Sequence, residues 1–320
     1  MSAPAALPAG VSIVIPVFNS DETLAPLVEG ITAVLGARTE PFEILLVDDG
    51  SGDPTWQRCA DLAETHRRVR ALRLSKNFGQ HNALLAGLRE ARFAVTVTMD
   101  DDLQHPPEEI PQLLAALHDG ADVVYGTPLE LPHGVLRNVS SRVTKIAMAK
   151  AADARIARSV SAFRAFRTDL RASFDAFRAP YVSLDVLLSW GTTRFTTVTV
   201  RHDPRTIGAS NYTFRKLVRH TLNMLTGFSV WPLRLASVIG FLFTIVGVGV
   251  LIYVLGTVVV TGRPVPGFAF LASITAIFSG ATLFAIGVIG EYLARIFLTV
   301  TTQPPYLVRT IAGDDEERST

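Results

Sequence analysis

Cysteine is almost missing from the 320 residues. Cys59 stands alone, so the chain cannot form an internal disulfide, and a reducing compartment suits it. A dominant charge of either sign is missing too. The 30 Lys and Arg nearly balance the 29 Asp and Glu, for a net charge of +1. That balance gives no sign of nucleic-acid binding, and no nucleic-acid partner is expected. The opening segment, MSAPAALPAGVS, has neither a basic region nor a long apolar run, so no secretory signal is expected. No GxGxxG follows an apolar β-branched run and no GxxxxGK[ST] occurs, which removes the dinucleotide and P-loop fingerprints. The histidines show no metal-ligand spacing such as HExxH. They read as surface or satisfied core side chains, with His105 and His202 as candidates for lining a cleft, and Cys59 reads as a small core residue.

Charge is also absent from two long stretches near the C-terminal end, Leu235 to Val260 and Pro264 to Gly290. Each is about 26 residues, enough as a helix to cross a bilayer core of about 30 Å. The short TGRP connector makes them a hairpin. Arg215, Lys216, Arg219 and Arg234 precede it and Arg295 and Arg309 follow, with only Arg263 in the turn. The positive-inside bias puts both ends in the cytoplasm, which predicts a multi-pass protein of the inner (plasma) membrane. Between Arg137 and Arg171 basic residues outnumber Asp153 and Asp169, and Ile146, Met148 and Ile156 interleave with them. Arg137, Arg142, Lys145, Lys150, Arg155 and Arg158 read as the face of a basic amphipathic helix on anionic membrane lipid. The terminal GDDEERST reads as a disordered acidic tail.

What remains is rich in alternation. Val11–Val17, Glu43–Asp49, Val69–Leu74, Phe93–Asp100 and Ala121–Gly126 are short apolar runs suited to buried parallel strands. Glu22–Leu35, Pro54–His66, Gln80–Glu90 and Glu108–Leu117 read as helices between them, with Asp53 as N-cap before Pro54. Strand–helix alternation predicts an α/β fold with right-handed crossovers, whose ligands bind beyond the carboxyl ends of the strands. Asn19, Asp48–Asp49 and Asp100–Asp102 all fall at such ends. Three adjacent carboxylates repel one another, and either a cation or a helix N-terminus accounts for keeping them together. An Asp-x-Asp pair suits a hard divalent cation, which takes one or two carboxylates and shares its remaining sites with substrate phosphates.

The segments IPVFNSDETL, ILLVDDGSGD, LSKNFGQHNALLAGL, TMDDDLQHPPEEIPQLL and DVVYGT occur in the order seen in family 2 glycosyltransferases of the GT-A fold. FRAFRTDL, RTIGASNYTFRKL, WPLRLASVIG, GVIGEYLARIF and PPYLV resemble the branch that acts on polyprenol phosphates. The resemblance implies a GT-A nucleotide-sugar-binding domain over 1–212 and interfacial helices over 213–233. A transmembrane hairpin over 234–299 follows, with spans near 235–260 and 265–290, and then a cytoplasmic tail over 300–320. It implies Asp102 and Gln104 as direct ligands of Mg²⁺ or Mn²⁺, with Asp100 beside the donor sugar. Pro16, Asn19, Asp48 and Asp49 would line the nucleoside pocket, with Lys76 and Asn77 at its rim. Arg137, Arg164, Arg205 and Ser210, with Tyr212, would receive the lipid phosphate. Ser20 stands where the family has Glu, and Asp101 stands where it has a small residue. Asp101 adds a carboxylate that either helps hold the metal or caps the next helix.

The implied activity is inverting transfer of a sugar from a nucleotide-diphospho-sugar, UDP favoured, to polyprenyl phosphate, by a homotetramer. A processive polysaccharide synthase would carry Gln-x-x-Arg-Trp and more membrane helices, and this chain has neither. A non-catalytic nucleotide-sugar scaffold would have no need of the intact Asp-x-Asp and Gln104.

Overall fold

The structure is a computed structural model. It describes residues 6–128, 160–179, 182–203, 231–261, 267–300 and 304–313. Two compact units divide the chain, one formed by Met1–Thr221 with Thr302–Thr320 and the other by Leu222–Thr301.

The first unit is built on strands β1 (Val11–Val17), β2 (Phe42–Asp48), β3 (Val69–Leu74) and β4 (Val95–Thr98). The intervening helices are α1 (Asp21–Gly36), α2 (Asp53–Thr65) and α3 (Gln80–Glu90). A 3₁₀ turn at Pro107–Glu109 leads into α4 (Ile110–His118). Then come β5 (Val123–Pro128), β6 (Arg164–Arg167), a 3₁₀ segment Thr168–Phe174, α5 (Leu184–Gly191) and β7 (Phe195–Val200).

All of these strands, with β8 (Val308–Ala312), form one mixed eight-stranded sheet in the order β7-β5-β6-β4-β1-β2-β3-β8. β4, β1, β2 and β3 are parallel neighbours, while β6 runs antiparallel to both β4 and β5. β8 pairs antiparallel with β3, so part of the expected tail is sheet. It covers an edge that would otherwise present unpaired backbone groups.

Strand alternation sorts the core into two layers. Ile13, Ile15, Ile44 and Leu46 pack with Leu27, Ile31, Cys59 and Leu113 on the α1/α2/α4 side. Val14, Leu45, Val47 and Leu72 pack with Leu84, Leu85, Leu88 and Leu187 on the α3/α5 side. Cys59 is buried and free, as a core residue should be. Gly87 lets α3 lie close to the sheet. A Cβ there would come within 2.5 Å of Val14 Cγ1.

The second unit contains α6 (Trp231–Thr261) and α7 (Phe268–Val300). Leu233–Thr257 and Ile277–Ala294 are long and apolar enough to cross a membrane, and their side chains are largely exposed within this chain. The two helices meet where the Phe243 and Phe278 rings stand edge to face, 5.5 Å between centroids. A two-helix hairpin follows, as the missing charge predicts. The first helix exceeds the expected 235–260 at both ends, while the second begins at Phe268, inside the expected 265–290, and runs past it to Val300. The expected basic amphipathic helix, the juxtamembrane segment up to residue 230 and the acidic tail lie outside the described residues.

Candidate active site

The carboxyl ends of β1, β2 and β4 converge on one edge of the sheet. The loop after β1 turns through Asn19 in the left-handed region, φ 55°. Its backbone N–H donates to Ser51 Oγ at 2.9 Å, and its side-chain oxygen accepts from Gly52 N–H at 3.3 Å. The loops after β1 and β2 are thereby tied together. Asp48 is fully buried and accepts from Ser51 N–H at 2.9 Å, closing the turn. Its other oxygen has no hydrogen-bond partner among the described residues and forms an ion pair with Arg73 Nε at 3.6 Å.

Asp49 reaches the third loop, accepting from the N–H groups of Phe78 and Gly79 at 2.7 and 2.8 Å. Burial nonetheless pushes its carboxyl up to about 6, the two backbone donors only partly opposing that rise. Gly50, at φ +71°, lets the β2 loop pass the chain at Lys76 and Asn77. A Cβ there would lie 2.4 Å from Lys76 C and 2.6 Å from Asn77 N. Helix α2 starts at Asp53 with Gly52 as its N-cap, one residue earlier than expected.

The acidic run sits beside these loops. Asp100 accepts from Gln80 Nε2 at 2.6 Å. Asp101 accepts from Phe18 N–H at 3.3 Å. Burial raises its carboxyl, offset in part by the Ser20 hydroxyl and the Phe18 amide beside it. Asp102 accepts from Gln104 N–H at 3.2 Å across Leu103, whose φ of 60° is unusual for a bulky residue. The capping role is absent: the 3₁₀ turn and α4 are N-capped by Pro106 and Glu109, neither with a side-chain capping bond. Asp101 instead fastens the β1 loop through Phe18, while the hydroxyl of Ser20, the departure from the family pattern, donates to Phe18 O at 3.1 Å.

Beyond Gln104 the chain meets the end of β7, where Asp203 N–H donates to Gln104 O at 2.9 Å. His105 stacks on Phe163 at 5.1 Å and meets His202 edge-on at 4.9 Å between ring centroids. The Nδ1 atoms of both histidines are buried without a hydrogen-bond partner among the described residues. This corrects the expectation of satisfied core histidines. Burial lowers the His105 pKa to about 4, with His202 adding to the fall and Asp102 opposing it, so the ring is neutral near pH 7.

Of the expected residues, Asn19, Asp48, Asp49, Lys76, Asn77, Asp100, Asp101, Asp102 and Gln104 gather at this edge. Lys76 is exposed, with its ammonium 5.1 Å from the Phe78 ring centroid. Pro16 is the penultimate residue of β1, buried and opposite Val47. Arg137, Arg205, Ser210 and Tyr212 lie outside the described residues.

Arg164 departs from expectation. Its side chain is 2% exposed, its guanidinium pairs with Asp185, and its Nε donates to Thr98 Oγ1 at 3.0 Å. A guanidinium committed in this way is not an open phosphate receptor. Gln80, Thr98, Tyr125 and Asp185 were missed by sequence reasoning. Asp185 had left a trace as a lone charge in the apolar run SLDVLLSW.

Among the described residues no three His, Cys, Asp or Glu side chains group as a ready-made metal cage. The donor set still fits a hard cation. A carboxylate and an amide oxygen two residues apart leave coordination sites for phosphate oxygens.

The glycosyl transferase family 2 profile matches residues 12–170. The undecaprenyl-phosphate 4-deoxy-4-formamido-L-arabinose transferase of Yersinia enterocolitica is 32% identical over 309 residues, 96% of this chain and 94% of that protein. The enzyme of the same name from Proteus mirabilis is 32% identical over 308 residues, 95% and 94% of the two chains. Among solved structures, glucosyl-3-phosphoglycerate synthase from Mycobacterium tuberculosis, in complex with Mn²⁺, UDP-glucose and phosphoglyceric acid, aligns with a TM-score of 0.49. It is 18% identical and covers 68% of this chain and 78% of its own. With relatives above 30% identity along nearly its whole length, this chain belongs to glycosyl transferase family 2.

Proposed function

We propose that this chain transfers a sugar, with inversion, from a nucleotide-diphospho-sugar to a polyprenyl phosphate at the cytoplasmic face of the membrane. The observation that carries this reading is the oxygen-rich edge of Asn19, Asp48, Asp49 and Asp100–Gln104, in one chain with two exposed apolar helices. Relatives named for undecaprenyl-phosphate transfer support the acceptor. The β1 and β2 loops, locked by Asn19, Ser51 and Asp49, form the nucleoside side of the site, with Lys76 and Asn77 at its rim. Asp102 and Gln104 would hold Mg²⁺ or Mn²⁺, and Asp100 would face the sugar. Such an ion supplies charge neutralisation for a diphosphate leaving group.

No general base is required. A phosphate monoester is already largely dianionic at pH 7, with a second pKa of about 6. A hydroxyl acceptor, in contrast, must lose a proton to attack. The protein's task is to desolvate and aim the phosphate and to stabilise the departing nucleoside diphosphate. Arg137, Arg205 and Ser210 are assigned to the lipid phosphate on the strength of the motif resemblance. The same resemblance favours a uridine donor, a homotetramer and a multi-pass place in the inner (plasma) membrane.

Purified protein incubated with undecaprenyl phosphate and a panel of nucleotide sugars, including a 4-deoxy-4-formamido-L-arabinosyl donor, tests the reading. One donor should yield a sugar–phospholipid of the corresponding mass. Release of nucleoside diphosphate without any lipid product would overturn the acceptor assignment.

A further inference from the structure

Behind the acidic edge lies a buried polar row. Thr98, Arg164 and Tyr125 sit directly opposite one another on adjacent strands β4, β6 and β5, so their side chains share the α3/α5 face of the sheet. Arg164 and Tyr125 rank among the largest fully buried side chains of the protein. Helix α5 places Asp185 over this row. Its carboxylate pairs with the Arg164 guanidinium and accepts from the Tyr125 hydroxyl at 3.0 Å. Thr98 Oγ1 accepts from Arg164 Nε at 3.0 Å and donates to Ala162 O at 2.8 Å. Two residues beyond Thr98 the chain reaches Asp100, whose solvent-side partner is Gln80 of α3, on the same face of the sheet.

A guanidinium stays charged in a protein, and burying one without neighbouring carboxylates is costly. Burial pushes the Arg164 pKa down, but Asp185, Tyr125 and Asp100 together outweigh it, and the net direction is up. The cation is held by Asp185 and by Thr98.

We propose that Arg164, fixed by Asp185 and Tyr125 and bonded to Thr98, is a positioning residue that anchors the end of β4 and so places Asp100, two residues further on. Its effect on the reaction then passes through Asp100 to the donor, and the lipid phosphate is left to cations elsewhere. The inference rests on the donor-side reading of Asp100. Loss of such a supporting partner typically costs about 10- to 100-fold in metal affinity or activity. A buried residue of purely structural importance would lower stability without singling out the donor.

The test measures binding of UDP with and without Mn²⁺, together with KM for undecaprenyl phosphate, on full-length protein in detergent. Asp185→Asn keeps the shape and removes the charge. It should weaken Mn²⁺-dependent UDP binding about tenfold or more and lower kcat, leaving the lipid KM within about twofold. Tyr125→Phe removes one hydroxyl and should give the same pattern severalfold more weakly, and it carries the test if Asp185→Asn does not fold. A change confined to the lipid KM would overturn the proposal and return Arg164 to the acceptor side. Unchanged UDP binding in folded Tyr125→Phe and Asp185→Asn would overturn it as well. Wild-type protein that bound no UDP under either condition would overturn the proposed function itself, a result distinct from the other two.

Discussion

The two edges of the central sheet treat their buried carboxylates in opposite ways. At the amino ends of the strands, Glu43 is buried and fully engaged. It accepts from Ser12 Oγ and Arg92 N–H, each at 2.7 Å, and pairs with Arg70 at 3.3 Å. At the carboxyl ends, the Nδ1 atoms of His105 and His202 are buried with no hydrogen-bond partner among the described residues, and Asp48 Oδ2 has only the ion pair with Arg73, 3.6 Å away. A buried polar atom without a hydrogen bond costs free energy. Among the described residues, Arg70 keeps one such atom at the amino edge, Nε, while its other nitrogens bond Glu43 and Glu90. The carboxylate of the amino edge is thus saturated, and under the proposed function those of the carboxyl edge are completed by a ligand.

Breaking the two edges should therefore give opposite results. The largest effect is expected from Asp102→Asn: turnover falls about 100- to 1,000-fold, the scale for losing one electrostatic stabiliser, while the thermal unfolding midpoint stays near that of the wild type. A near-normal rate in Mg²⁺ or Mn²⁺ would remove Asp102 from the metal site. Glu43→Gln should do the reverse. It leaves Arg70 without its buried charge partner and costs on the order of 3 kcal/mol of stability, while the rate per folded molecule is retained. Thermal unfolding and a rate normalised to folded protein separate these outcomes.

Gly50→Ala comes next, because the added methyl meets backbone at Lys76 and Asn77 and the residue must keep φ +71°. The loop has to shift, so nucleoside diphosphate affinity should fall more than thermal stability does. Asp49 should show itself in the pH dependence of stability. Its folded pKa of about 6 lies above the ordinary 3.8, so the folded state binds more protons between those values. Its contribution to stability is then largest below pH 3.8 and diminishes as pH rises toward 6, and Asp49→Asn should flatten that part of the stability curve. The smallest perturbation is a pair of reporter fusions, one at Thr320 and one within 261–264, which should report opposite sides of the membrane. The same side for both would mean that one helix does not cross.

Much of this division was legible in the residues. The ends of β1, β3 and α3 fall where the apolar runs and the glycine before Gln80 place them. The acidic edge was legible because Asp and Asn at several strand ends have few reasons to coincide. Three features were not. β6 is four residues long and begins and ends in arginine, and nothing in RAFR says that one arginine is buried. Only Asp185, 21 residues further on, makes that burial tolerable. β7, FTTVTV, alternates too weakly in polarity to show its buried side. β8 follows the two long apolar helices in sequence yet pairs with β3, a long-range closure that no local pattern announces.

The most direct measurement is Mn²⁺ bound in the presence of UDP, followed by electron paramagnetic resonance on wild-type, Asp102→Asn and Glu43→Gln proteins. The carboxyl edge as ligand site predicts one nucleotide-dependent Mn²⁺ per chain in the wild type and in folded Glu43→Gln, and none in Asp102→Asn. The same nucleotide-dependent stoichiometry in Asp102→Asn, or its loss in folded Glu43→Gln, would contradict the assignment of the carboxyl edge.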